Sequence, residues 1–120
     1  MSGFDYFEKF LQDEGFRFNN EESFISFKFQ GTSFVVFKND SCFLQIVLIC
    51  NAQGKSRSSL LEICNKMNDD RFVVKFVAQE NSVWCSYEFE PSEHTTSDDF
   101  SMALTLLDKS SDELLKSLNS

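Results

Sequence analysis

Cys42-Phe-Leu-Gln-Ile-Val-Leu-Ile-Cys50 runs for nine residues with one polar side chain, Gln45, near its middle. A run this short suits a strand and falls far short of a membrane-spanning helix, and Ile46, Val47 and Ile49 are β-branched. Side chains along a strand alternate between two faces. Leu44, Ile46, Leu48 and Cys50 therefore share one face, and Phe43, Gln45, Val47 and Ile49 the other. Both rows favour leaving water, so the fold must provide a cover for each.

Upstream of this run, Ser23 begins a period of two. Ile25, Phe27 and Phe29 alternate with Ser26, Lys28 and Gln30, the pattern of a half-buried strand. Gly31-Thr-Ser33 reads as a turn, Phe34–Phe37 as the start of a second strand, and Asn39-Asp-Ser41 as another turn. Connections this short favour antiparallel neighbours, so the three strands form a meander. Further upstream, Ser2 with Asp5 predicts a capped helix over 3–14. Phe4, Phe7 and Leu11 lie on its apolar stripe, and Gly15 closes it. Phe16-Arg-Phe18 then leads into an Asn-Asn-Glu-Glu turn.

Downstream, Ser59 with Glu62 reads as a capping box, and Leu60, Ile63, Cys64 and Met67 form the stripe of a second helix ending near Asn68–Asp70. Phe72, Val74, Phe76 and Ala78 alternate with Val73, Lys75, Val77 and Gln79. Glu80-Asn-Ser82 turns the chain into Val83, Cys85, Tyr87 and Phe89, alternating with Trp84, Ser86, Glu88 and Glu90. Pro91–Thr96 links this hairpin to a last helix capped by Ser97, with Asp98 and Asp99 in its first turn. Ser110-Ser-Asp-Glu113 could cap a separate final helix, so a break there stays open. The expectation is one domain over 1–120, of α+β class, with an antiparallel sheet of about five strands in the order α-β-β-β-α-β-β-α.

Bulk composition narrows the function. Fifteen phenylalanines, eleven of them before residue 44, supply ample packing material for a chain of 120 residues. The net charge of −8 argues against nucleic-acid phosphates and against an anionic membrane surface. Met1–Asp5 shows no basic region followed by an apolar run, so no signal peptide is expected. The cysteines at 42, 50, 64 and 85 form no Cys-x-x-Cys pair, and buried reduced thiols in a cytoplasmic protein are the expectation.

Catalytic chemistry finds little support. Gly54-Lys55-Ser56 resembles the end of a phosphate-binding loop, but that loop needs a second glycine where Ile49 stands. His94, the single histidine, has only carboxylates beside it, a poor metal set. Cys85 shares a face with Val83 and Tyr87, which predicts a buried, unreactive thiol. The paired acids at 21–22, 69–70 and 98–99 are explained by turns and helix starts. Neither catalytic residues nor a cofactor or metal are therefore assigned. Asn65 and Asn68 read as a helix C-cap that aims the chain into the next strand.

The segment Leu60-Leu-Glu-Ile-Cys-Asn-Lys-Met-Asn68, its following hairpin and the long last helix resemble the YbjN family of proposed bacterial sensory-transduction regulators. That family shares the fold of type III secretion chaperones, small acidic homodimers that hold extended clients. The resemblance implies this fold, a bacterial cytoplasmic setting and binding to a protein segment or to a second copy. A small ligand-sensing domain with a pocket between helices and sheet is the alternative. Three helices pack more naturally on one face of a sheet than on both. The second face is the candidate partner surface, carried by Phe24, Phe43, Val47, Ile49, Val73, Val77 and Trp84.

Overall fold

The computed structural model describes residues 1–70 and 74–119, so the expected start of the fourth strand at Phe72 and Val73 lies outside the described residues. α1 (Gly3–Asp13) opens with the expected capping box: Ser2 Oγ accepts from the Asp5 amide at 3.1 Å, and the Asp5 carboxylate accepts from the Ser2 amide at 3.0 Å. Gly15 follows at φ +75°, the left-handed conformation glycine adopts freely at a helix end. Gly3 presses onto the chain just before the long central strand, where a Cβ would stand 2.7 Å from the Leu44 nitrogen.

The expected strands are all present, and one more precedes them. β1 (Phe18–Asn20) pairs with β2 (Phe24–Phe29), so the segment read as a turn begins with a short edge strand. Phe18 lies beside Phe27 and packs against the core, which holds in the sheet a segment of low β propensity. β2 turns into β3 (Thr32–Phe37) through Gln30 and Gly31, both at positive φ, a two-residue hairpin turn. Strand β3 thus starts two residues earlier than expected. β4 (Leu44–Asn51) is the opening run without its first two residues.

α2 (Arg57–Asp70) is capped by Ser56, whose Oγ accepts from the Ser59 amide at 3.2 Å. The cap thus falls three residues before the expected one, and the lysine-serine pair resembling a nucleotide loop is explained as a helix entry. β5 (Val74–Gln79), β6 (Ser82–Phe89) and α3 (Ser97–Leu118) complete the chain. Thr96, one residue before the expected cap, forms a capping box with Asp99. α3 runs unbroken through Ser110 and Ser111: both are buried, and Ser111 donates to the Asp108 carbonyl at 2.7 Å instead of starting a new helix.

The strands form a six-stranded antiparallel sheet in the order β1-β2-β3-β4-β6-β5. The fold is α+β, as expected, with one strand added. One hydrophobic cluster unites residues of all three helices with a single face of the sheet, including Ile25, Phe27, Ile46, Leu48, Val74 and Phe76. Phe7 sits at its aromatic centre, with ring centroids 5.4–5.5 Å from Phe10, Phe27 and Phe100.

The two sheet edges differ. β5 lies at one edge, and α2 runs beside it. The Asn68 side chain accepts from the Phe76 amide at 2.7 Å and donates to the Phe76 carbonyl at 3.0 Å. Arg57 donates to the Ala78 carbonyl at 3.4 Å. Asn68 therefore imitates a neighbouring strand and occupies backbone groups that an edge otherwise offers to another chain. The expected role for Asn68 was a helix cap; the observed bonds reach across to the sheet instead.

Candidate interaction face

The sheet face turned away from the helices carries five of the seven residues singled out from sequence, Phe24, Val47, Ile49, Val77 and Trp84, and the strand register places most of them in one area. Trp84 on β6 pairs with Ile49 on β4 and with Val77 on β5, giving a continuous row of three apolar side chains. Ile49 is 47% exposed and Val77 43%. Phe24 pairs with Phe37 across β2 and β3 and is half-buried on the same face. Val47 shares the face, between Val35 and Ser86, yet is 0% exposed.

The cover over Val47 comes from the sheet itself. Phe37 and Trp84 stack across β4, ring centroids 5.5 Å apart and planes at 27°. Two aromatic side chains from flanking strands thus close over the central valine, and part of this face is dry without any helix. Phe37 is the residue sequence reasoning missed. Its position three after Phe34 places it opposite the core, a parity readable from the alternation, but its reach to Trp84 depends on register. Phe43 is 54% exposed in the bend preceding β4, outside the strand ladder. Val73 lies outside the described residues.

Charge is sparse on this face. Its described strand residues include only Lys28, Lys75 and Glu88 as ionic groups, and Lys75 lies 3.9 Å from Glu88. Gln45 donates to Ser86 Oγ at 3.2 Å, so the polar side chain in the opening run also has its partner on this face. Most of the excess acid of the chain sits elsewhere.

Other chemistry is placed plainly. Cys50, Cys64 and Cys85 are buried on the helix side. Cys85 is pushed far above the usual thiol range by its hydrogen bond with Cys50 and by burial, while the same bond holds Cys50 below that range. Burial raises Cys64. Cys42 is exposed. His94 is exposed, with Nε2 3.6 Å from a Glu93 carboxylate oxygen. Among the described residues, no three histidine, cysteine or acidic groups are arranged to hold a metal, and no helix is long and apolar enough to cross a membrane. A cavity of about 460 Å³ opens between α1 and the entry to α3, lined by Tyr6, Lys9, Asp13, Glu93 and Phe100 among others. It lies at the helix ends, whereas the space between helices and sheet is filled by the core.

The sequence matches no protein-family model and none of the curated proteins. Among solved structures the chain is similar to YbjN from E. coli, described as a proposed transcription regulator. The TM-score is 0.66, covering 98% of this chain and 91% of that one. This is the YbjN fold. At 12% identity the likeness to YbjN is one of architecture: helices and antiparallel strands follow the same course over nearly all of both chains. The expected resemblance thus holds at the level of fold.

Proposed function

We propose that the chain is a non-catalytic protein-binding module that works through its open sheet face, and a remote relative of the YbjN family. The observation that carries this reading is the Ile49–Trp84–Val77 row, two of whose side chains remain nearly half exposed. Apolar rows bounded by polar residues and centred on a tryptophan are the composition of interaction surfaces. YbjN is described as a proposed transcription regulator. With a net charge of −8, a comparable role for this chain runs through protein contacts and not through nucleic-acid phosphates. The three buried, unpaired thiols support a reducing, cytoplasmic setting.

Site-specific photocrosslinking in cells tests the proposal. A photoreactive residue at Ile49 or Val77 is expected to yield polypeptide adducts, whereas one at Lys109, exposed on α3, is not. Adduct yields from 49 and 77 no higher than from 109 would overturn the assignment. Ligand sensing is the second reading, favoured by the cavity beside Tyr6. A metabolite that occupies it should stabilise the fold in a thermal-shift screen, and Tyr6→Ala should abolish that stabilisation.

A further inference from the structure

We infer that the partner of the open face is an acidic segment whose carboxylates seat in a groove formed by Arg17 and Lys28, at the end of that face away from Val77. The inference rests on reading the face as a protein-binding surface and names the chemistry of what it binds.

The groove comes from the shortness of β1. It pairs with β2 only from Phe18 to Asn20, opposite Ile25–Phe27. Arg17 is the residue before Phe18 and Lys28 the residue after Phe27, so the two cations lie just beyond the end of this ladder. Alternation sets Lys28 on the open face, since Phe27 lies in the core and Phe18 packs against it. Asn19 pairs with Ser26 and Lys28 with Ser33, which brings three neutral polar side chains to the same side. Arg17, Asn19, Ser26, Lys28 and Ser33 line a groove of about 390 Å³.

Its charge is unlike that of the rest of the chain. Acids outnumber bases by 19 to 11. Yet among the described residues no acid lines this groove, and neither Arg17 nor Lys28, both exposed, has an ion-pair partner. Other cations are engaged: Lys75 lies beside Glu88, Lys38 donates to Asn20 and to the Glu21 carbonyl, and Arg57 donates to the Ala78 carbonyl. A guanidinium, an ammonium and neutral donors around one recess match the acceptor oxygens of carboxylates and repel a basic segment. Phosphate sites draw on free backbone amides at a turn or helix start, whereas this groove lies over β2, which is bonded on both sides to β1 and β3.

Position then sets the spacing within the partner. Val35 on β3 pairs with both Ser26 and Val47, so the groove and the Trp84 row lie on one continuous face. From Lys28 on β2 to Trp84 on β6 the face crosses three strand intervals of about 4.8 Å, roughly 14 Å in all. An extended segment advances about 3.3 Å per residue, so an acid in the groove stands about four residues from an apolar side chain on the Trp84 row. The partner is therefore recognised by an acidic and an apolar residue at that separation.

Emission from Trp84, the single tryptophan, reads the test. The probe is a synthetic peptide with a leucine-phenylalanine pair and a glutamate pair about four residues to either side of it. Its twin carries lysines in place of the glutamates. At low salt the glutamate peptide is expected to shift the emission and to bind about tenfold more tightly than the twin, a preference that fades as salt rises to about 0.5 M. Arg17→Glu/Lys28→Glu should invert the preference at an unchanged melting temperature, because both side chains are exposed. Lys66→Glu/Lys109→Glu, the same change of charge on exposed helix positions, should keep the parent's preference. Equal binding of the two peptides, a preference untouched by Arg17→Glu/Lys28→Glu, or no emission change with either peptide overturns the inference. Photocrosslinked adducts from positions 49 and 77 would then leave the binding-face reading standing, and their absence as well removes both.

Discussion

Asn68 and Gly3 show how much of this fold depends on single side chains that hydrophobic pattern does not reveal. Asn68 satisfies both backbone groups of Phe76, a residue that is itself buried. Truncating it leaves an amide and a carbonyl without partners in a partly dry place, a loss worth about 1–3 kcal/mol. Asn68→Ala is therefore expected to lower the unfolding free energy by that amount, read as a lower urea midpoint at an unchanged slope. Asn68→Asp should not rescue the loss, because it keeps the acceptor for the Phe76 amide but sets a carboxylate oxygen against the Phe76 carbonyl in the last turn of α2. At Gly3 the reason is space: an added methyl meets the backbone of Cys42, Phe43 and Leu44 at 2.7–2.8 Å. Backbone cannot swing aside as a side-chain tip does, so Gly3→Ala should cost about 1–3 kcal/mol by overpacking. An equal stability of Gly3→Ala and parent in urea would contradict this close approach. Neither role is legible in sequence, since Asn68 stands eight residues from Phe76 and suits a helix cap equally well. Gly3 likewise looks like an ordinary first-turn residue.

At the scale of elements, alternation and helical spacing located all the helices and five of the six strands, because each has one buried face and periodicity reports burial directly. Boundaries were less legible where several residues offered the same chemistry. Ser56, Ser58 and Ser59 can all cap a helix, as can Thr96 and Ser97, and the choice is made by where the preceding loop releases the chain. β1 escaped because a three-residue strand has too few side chains to show a period. The most consequential ambiguity was Ser110–Glu113, and substitutions separate its two readings by the size of the loss. Thr96 is a true cap, so Thr96→Ala should cost about 1 kcal/mol. Ser111 is interior to α3 and its hydroxyl bonds a carbonyl of its own helix. Ser111→Ala should then change stability by less than about 0.5 kcal/mol, since alanine is the better helix former. A loss at Ser111 equal to that at Thr96 in urea unfolding would mean the helix starts anew there.

For the whole molecule, the two rows of the opening run settle how the layers stack. Leu44, Ile46, Leu48 and Cys50 go under the helices, and the opposite row stays outside, where Val47 is sealed by Phe37 and Trp84. Which row faces the helices was legible, because the purer apolar row matches those of β2 and β5. The stacking over Val47 was not, because it joins strands that are not neighbours in sequence or in the sheet. This partial self-cover gives a prediction for the protomer itself. The Phe37 ring lies in the stack that keeps Val47 fully buried, so Phe37→Ala should open that valine to water and cost about 1–3 kcal/mol in urea unfolding. An unchanged stability would show that the stack is not what keeps this part of the face dry.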